Sequence, residues 1–235
     1  NTAFSQKNLI PNASFEINDI DASQWSNSRE AFNNHIDKWF SPTEGSPDIY
    51  INNQSIDWIY NAQGLGLDDA HSGNTMIGIT TFVPSYSKKV HKREYISIEL
   101  RGTIKAGNQY RLSFWMKTPK KALSSSHIGV LMTKDSFYVK TEKVVNAIPQ
   151  FHIDTIFYAP KWTKITYEFT ATEDFKYLTF GCFAPMDSID YTWRVRKPSQ
   201  FAYYYMDDFS LIELKKSEVY SPVFTVGKSF SLQNI

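Results

Sequence analysis

Tyr110-Arg-Leu-Ser-Phe-Trp-Met-Lys117 places Tyr110, Leu112, Phe114 and Met116 on one side of an extended chain and Arg111, Ser113 and Lys117 on the other. Successive side chains of a strand point to opposite faces, so this two-residue period predicts a strand with one buried face. Upstream, Lys105-Ala-Gly-Asn108 supplies a turn, and Tyr95 to Leu100 repeats the pattern with Ile96, Ile98 and Leu100. Downstream, Lys164 to Thr170, Tyr177 to Phe183 and Phe201 to Leu214 alternate in the same way, with Thr172-Glu-Asp174 as a second turn. No segment carries a long helical stripe capped at both ends. Asp21 to Asp37, with Trp25, Phe32 and Ile36 out of clean helical phase, is expected to be a loop with one turn of helix. Short strands without intervening helices predict an all-β antiparallel sandwich rather than a βαβ fold.

Length and composition agree with one domain. The 235 residues are 42% hydrophobic and 21% charged, enough apolar surface for a sizeable core. Aromatics reach 16%, which suits strands and leaves stacking surfaces for a ligand. Lys and Arg number 25 against 24 Asp and Glu, so there is no global field to attract nucleic acid, and none is expected as a partner. Cys182 is the only cysteine, which excludes an intrachain disulfide and a cysteine-based zinc site; a buried small hydrophobe is expected there. Residues 1–5, with Ala3 and Ser5 flanking Phe4, read as the end of a secretory signal, so the chain is expected to be exported. Residues 6–214 form the sandwich in this reading, and 215–235 a linker toward a further domain.

Three landmarks carry a resemblance. Asn8-Leu-Ile-Pro-Asn-Ala-Ser-Phe-Glu16, Ala70-His-Ser-Gly-Asn-Thr-Met-Ile-Gly-Ile79 and Tyr203-Tyr-Tyr-Met-Asp-Asp-Phe-Ser-Leu211 resemble, in that order, the opening strand, the "HSG" turn and the closing strand of galactose-binding-like jelly-roll carbohydrate-binding modules. Trp39-Phe-Ser-Pro-Thr-Glu-Gly-Ser-Pro-Asp48 and Arg93-Glu-Tyr-Ile96 are similar to the N-terminal domain of OmpA-family envelope proteins from Bacteroidetes, although Ala13 replaces the glycine common in the opening motif. The resemblance implies a jelly-roll sandwich in the periplasm, the outer membrane or the cell surface. Peptidoglycan would then be reached only through a C-terminal domain absent from this chain.

The same resemblance implies a structural calcium held by Glu16, Asn74, Asp207 and Asp208. From the residues alone, Asp207 shares a strand phase with Phe209 and Leu211, so it is expected to face inward and to need a partner, either a hard cation or backbone amides. A glycosidase would need one carboxyl with a raised pKa and one ordinary one across a cleft, and nothing marks such a pair. The five histidines fall in separate segments without ligand-like spacing, and no nucleophile elbow or phosphate loop is present, so no catalytic residue is assigned. Sugar rings stack on aromatic faces while polar groups take their hydroxyls. Trp58, Tyr60 and Trp193 lie in polar irregular stretches, with Arg194 beside Trp193, and these four are the expected ligand contacts. The chain is therefore read as a non-catalytic binding module for glycan, with an adaptor that docks on an envelope protein as the alternative.

Overall fold

The computed structural model describes residues 6–20, 28–52, 65, 68–84, 92–195 and 199–214. Residues 1–5, read above as the end of a signal, the tail at 215–235, and Trp58 and Tyr60 lie outside these residues. The described chain runs α1 (Arg29–His35), β1 (Trp39–Phe40), β2 (Asp48–Ile51), β3 (Thr75–Phe82), β4 (Ile96–Ile104), β5 (Gln109–Lys117), β6 (Ser124–Ser125), β7 (Ile128–Thr133), β8 (Phe151–Ile153), β9 (Thr163–Thr170), β10 (Phe175–Cys182), β11 (Tyr191–Thr192) and β12 (Ala202–Leu214). Two five-stranded antiparallel sheets, β1-β4-β10-β7-β8 and β2-β3-β12-β5-β9, face each other, and β6 pairs with β11 in a small third sheet. Because the chain crosses between the sheets at β1 to β2, β3 to β4, β4 to β5, β5 to β7, β8 to β9, β9 to β10 and β10 to β12, this is a jelly-roll sandwich.

The alternation works as the sequence predicts. Tyr110, Leu112, Phe114 and Met116 of β5 are buried, and so are Ile96, Ile98 and Leu100 of β4 across the sandwich. Ile165, Tyr167 and Phe169 pack against the same core from β9. Phe209 sits at its centre, with ring centroids 4.7 Å from Phe180, 5.0 Å from Trp39 and 5.3 Å from Phe114. Offset and edge-on aromatic pairs of this kind add to the burial of area. Cys182 is buried, and burial pushes its thiol pKa up. The Asp21 to Asp37 stretch contains α1, a seven-residue helix capped by Ser28, whose Oγ accepts from the Ala31 N–H at 3.2 Å.

The opening segment locks the sandwich shut. Asn8 Nδ2 donates to the Phe209 carbonyl at 2.9 Å, and its Oδ1 accepts from the Leu211 N–H at 2.9 Å. The Leu9 N–H donates to Leu211 and the Phe209 N–H to Ala13, while the Arg101 N–H of β4 donates to Leu9. Residues 8–13 therefore bridge both sheets, at the meeting of first and last segments that the landmarks imply.

Candidate functional site

The closing strand contains a β-bulge that changes the reading of the aspartate pair. β12 pairs with β5 as Met206↔Met116 and Asp207↔Trp115, then resumes at Ser210↔Ser113, with Asp208 at φ +48. One extra residue switches the phase of the strand. Tyr204, Met206, Phe209 and Leu211 all enter the main core, whereas Tyr203 and Tyr205 join a second cluster on the outer face of that sheet. Asp207 belongs with Tyr203 and Tyr205, not with Phe209 and Leu211 as unbroken alternation requires. It is nonetheless 0% exposed, because the 71–74 turn covers it.

Backbone amides meet it there. Asp207 Oδ2 accepts from the N–H groups of His71 at 2.9 Å and Ser72 at 3.1 Å, and Oδ1 accepts from the Asp208 N–H at 2.7 Å. Burial raises the Asp207 pKa to about 8; the Ser72 amide opposes that shift, and the like charge of Asp208 adds to it. Asp208 turns the other way. Its Oδ2 lies 2.5 Å from His71 Nδ1, and its Oδ1 accepts from Ser72 Oγ at 2.8 Å. Ser72 is thus bonded to the carboxylate and not to the imidazole, so these three residues do not form a serine–histidine relay. His71 stacks on Trp115 with centroids 3.8 Å apart, and Trp162 meets the imidazole edge-on at 5.8 Å.

Glu16 grips the far end of the same turn. Its Oε1 accepts from the N–H groups of Asn74 at 3.0 Å and Thr75 at 2.9 Å. Gly73, at φ +60, lies so close that a Cβ there would fall 2.5 Å from Glu16 Oε1. Glu16 and Asp207 offer carboxyl oxygens of the hard type that calcium takes. Asn74, by contrast, contributes its amide N–H, and both oxygens of Asp208 are engaged with His71 and Ser72. Among the described residues, the three His, Cys, Asp or Glu ligand atoms that lie within 4.8 Å of one another come from His127, His152 and Asp154, not from this junction.

Of the four expected ligand contacts, Trp193 and Arg194 fall within the described residues. Trp193 is 55% exposed on the loop that leaves β11, and the Arg194 guanidinium stands 5.1 Å over the ring of Tyr158, which is 41% exposed. The small third sheet supports all three. Tyr191 and Thr192 pair with Ser125 and Ser124, while the Phe157 N–H donates to Ser125 and the Tyr204 hydroxyl to the Phe157 carbonyl. On the other side of Tyr158, the Thr118 N–H and the Ala159 carbonyl are 2.7 Å apart, and the Ala159 N–H donates to Thr118 Oγ1. Tyr158 carries no mark in the sequence, because what sets it apart is its place under the Arg194 guanidinium, which only the fold determines. Trp39, the loop aromatic of the sequence landmark, is a core residue, with its Nε1 donating to the Asn12 carbonyl.

No family model matches the sequence, and no curated protein matches it. Among solved structures, the chain is similar to the CBM22-1 xylan-binding domain of Xyn10C from Paenibacillus barcinonensis, at 11% identity over 91% of this chain and 99% of that one, with a TM-score of 0.41. It is also similar to TmCBM61 in complex with β-1,4-galactotriose, at 11% identity over 88% of this chain and 99% of that one (TM-score 0.37). A third is the K1 cleaved adhesin domain of Lys-gingipain from Porphyromonas gingivalis W83, at 15% identity over 84% and 94% (TM-score 0.35). At this level the likeness carries no functional argument, which rests on the chain's own residues.

Proposed function

We propose that this domain is a non-catalytic carbohydrate-binding module whose contact patch is Trp193, Tyr158 and Arg194. The observation that carries the reading is the exposed Trp193 ring on the loop that leaves β11, next in sequence to Arg194, whose guanidinium stands over the half-exposed ring of Tyr158 on the β8–β9 connection. An exposed indole takes the apolar face of a pyranose, and guanidinium N–H groups beside it donate to hydroxyl or carboxylate oxygens at its rim. The carboxylates that would otherwise suggest hydrolysis, Glu16 and Asp207, are committed to amides of the 71–75 segment. A glycan array followed by titration of the best hit tests this: Trp193→Ala is expected to weaken binding roughly tenfold or more while leaving the melting temperature unchanged. An array without hits, or a hit indifferent to Trp193, overturns it.

The calcium reading is kept for Glu16 and Asp207 with carbonyls of the same junction, and is supported by the burial of an acidic group that only N–H dipoles offset. Melting with calcium and with chelator is expected to differ by several degrees; identical curves leave the amides as the sole partners of these carboxylates. Display outside the cytoplasm by an OmpA-type envelope protein is supported by the sequence landmarks alone, and the sequence following Ile235 in the full gene product tests it.

One observation favours the adaptor as a second reading. On the connection between β7 and β8, Ile148 is 90% exposed, with Tyr138, Val139 and Val144 also exposed. A pull-down from envelope extract that recovers one membrane protein and is abolished by Ile148→Asp, beside an empty array, decides for the adaptor.

A further inference from the structure

The histidines that have no ligand spacing in sequence acquire one through strand pairing. β7 and β8 pair as Ile128↔Ile153 and Gly129↔His152, and the His127 N–H donates to the Ile153 carbonyl at 2.6 Å. Extending that register by one residue sets His127 opposite Asp154 and diagonal to His152. Ile128, Val130 and Phe151 point into the core, so the two-residue period puts His152 and Asp154 on the outer face, where the ring of His127 stands 5.7 Å from that of His152. β8 is the outermost strand of its sheet.

We propose that His127, His152 and Asp154 form a binding site for a divalent transition-metal ion, with zinc as the reference case. One ligand atom from each residue lies within 4.8 Å of the other two. Around a tetrahedral ion with bonds of about 2.0 Å, ligands stand about 3.3 Å apart, so only small side-chain rotations separate this cluster from coordination. His152 Nε2 and Asp154 Oδ1 already converge at 2.5 Å, and the two imidazole planes lie 12° apart. Two independent features favour a built site over a chance ion pair. His127 Nδ1 lies 2.8 Å from Ser126 Oγ, which itself accepts from the Asp190 N–H. With Nδ1 donating to that oxygen, the Nε2 lone pair is presented outward, the arrangement by which metal-binding histidines are oriented. His127 also holds φ at +61, a left-handed conformation costly for a side-chain-bearing residue, and this aims its ring at the β8 face. Imidazole with carboxylate selects borderline ions such as zinc, nickel or copper over calcium, which takes oxygen alone. Three protein ligands leave a fourth position for water or an exogenous group.

Calorimetry of the full 235-residue chain, freed of metal by chelator, is the test. Zinc is expected to bind with a stoichiometry of one and raise the melting temperature by several degrees, and cobalt to give the visible absorption of a tetrahedral site. His152→Asn and Asp154→Asn should each weaken zinc binding at least about tenfold. His127→Asn, which tolerates the left-handed backbone, should do the same with the fold intact by circular dichroism. His35→Asn, at a histidine paired with Asp19 elsewhere on the chain, should leave affinity unchanged. No heat with zinc, nickel or cobalt overturns the proposal, as does zinc binding that survives His127→Asn combined with His152→Asn, or that excess calcium displaces.

Discussion

At Gly73 the absence of a side chain allows Glu16 to close on the 71–75 turn, since a methyl group there would meet the carboxylate and the positive φ would strain any other residue. Gly73→Ala is expected to cost about 1–3 kcal/mol in urea unfolding, and Gly73→Asn less of the backbone strain. Asp207 makes the opposite demand. Three N–H groups converge on its oxygens, so Asp207→Asn, which turns an NH₂ toward at least one of them, is expected to cost about 1–3 kcal/mol by the same measurement. At this scale the sequence is legible for residue type and silent on partners. "HSG" beside an acidic pair announces a junction, but whether amides or a cation satisfy Asp207 depends on atoms brought together from three distant segments. Trp193 and Arg194 are readable as loop residues. Tyr158, which completes their patch, becomes visible only when the third sheet places it beside them.

Strands β5, β4, β9 and the Ser210–Leu214 end of β12 follow from alternation, because one face of each is wetter than the other, whereas Leu178–Cys182 of β10 and Ala202–Asp207 of β12 are buried on both faces and alternate only in residue type. β7 does not, since Ile128 to Met132 is buried throughout and a two-sided strand has no period to read. β8 is three residues long, below the length at which a pattern can register. The bulge in β12 is the costliest omission, because a single added residue reverses every inference of facing on one side of it. That bulge also fixes the register of Phe209 and Leu211 in the core. Deleting Asp208 is expected to turn one half of β12 inside out and to abolish cooperative melting, whereas Asp208→Gly, which accepts φ +48, should cost less than about 2 kcal/mol in the same thermal scan. The pairing of His127 with β8 shows the same limit from the other side: register creates neighbours that spacing along the chain cannot announce.

For the molecule as a whole, aromatic packing between the sheets dominates. Phe209→Ala, at the centre of rings contributed by both sheets, is expected to cost about 3–5 kcal/mol in chemical denaturation. The buried tyrosines set the alkaline limit. Burial raises the phenols of Tyr95, Tyr203 and Tyr204 well above their ordinary range and that of Tyr167 to about 12. The unfolded chain loses these protons first, near pH 10, so the tyrosine contribution to stability is constant below that point and falls as pH rises through the folded values. Lys92, raised chiefly by the charge of Glu94, loses its contribution in the same direction. Melting temperature is expected to drop steeply above about pH 10, with the phenolate absorbance of these buried tyrosines appearing only as the fold is lost. The clasp of Asn8 and Leu9 on Leu211 bears on mechanics. It places the two ends of the sandwich at one corner in antiparallel contact, so tension applied through residues 6 and 214 loads those hydrogen bonds one after another rather than all at once. In single-molecule pulling the domain should therefore peel open at low force from that corner, releasing the opening segment before the two sheets separate.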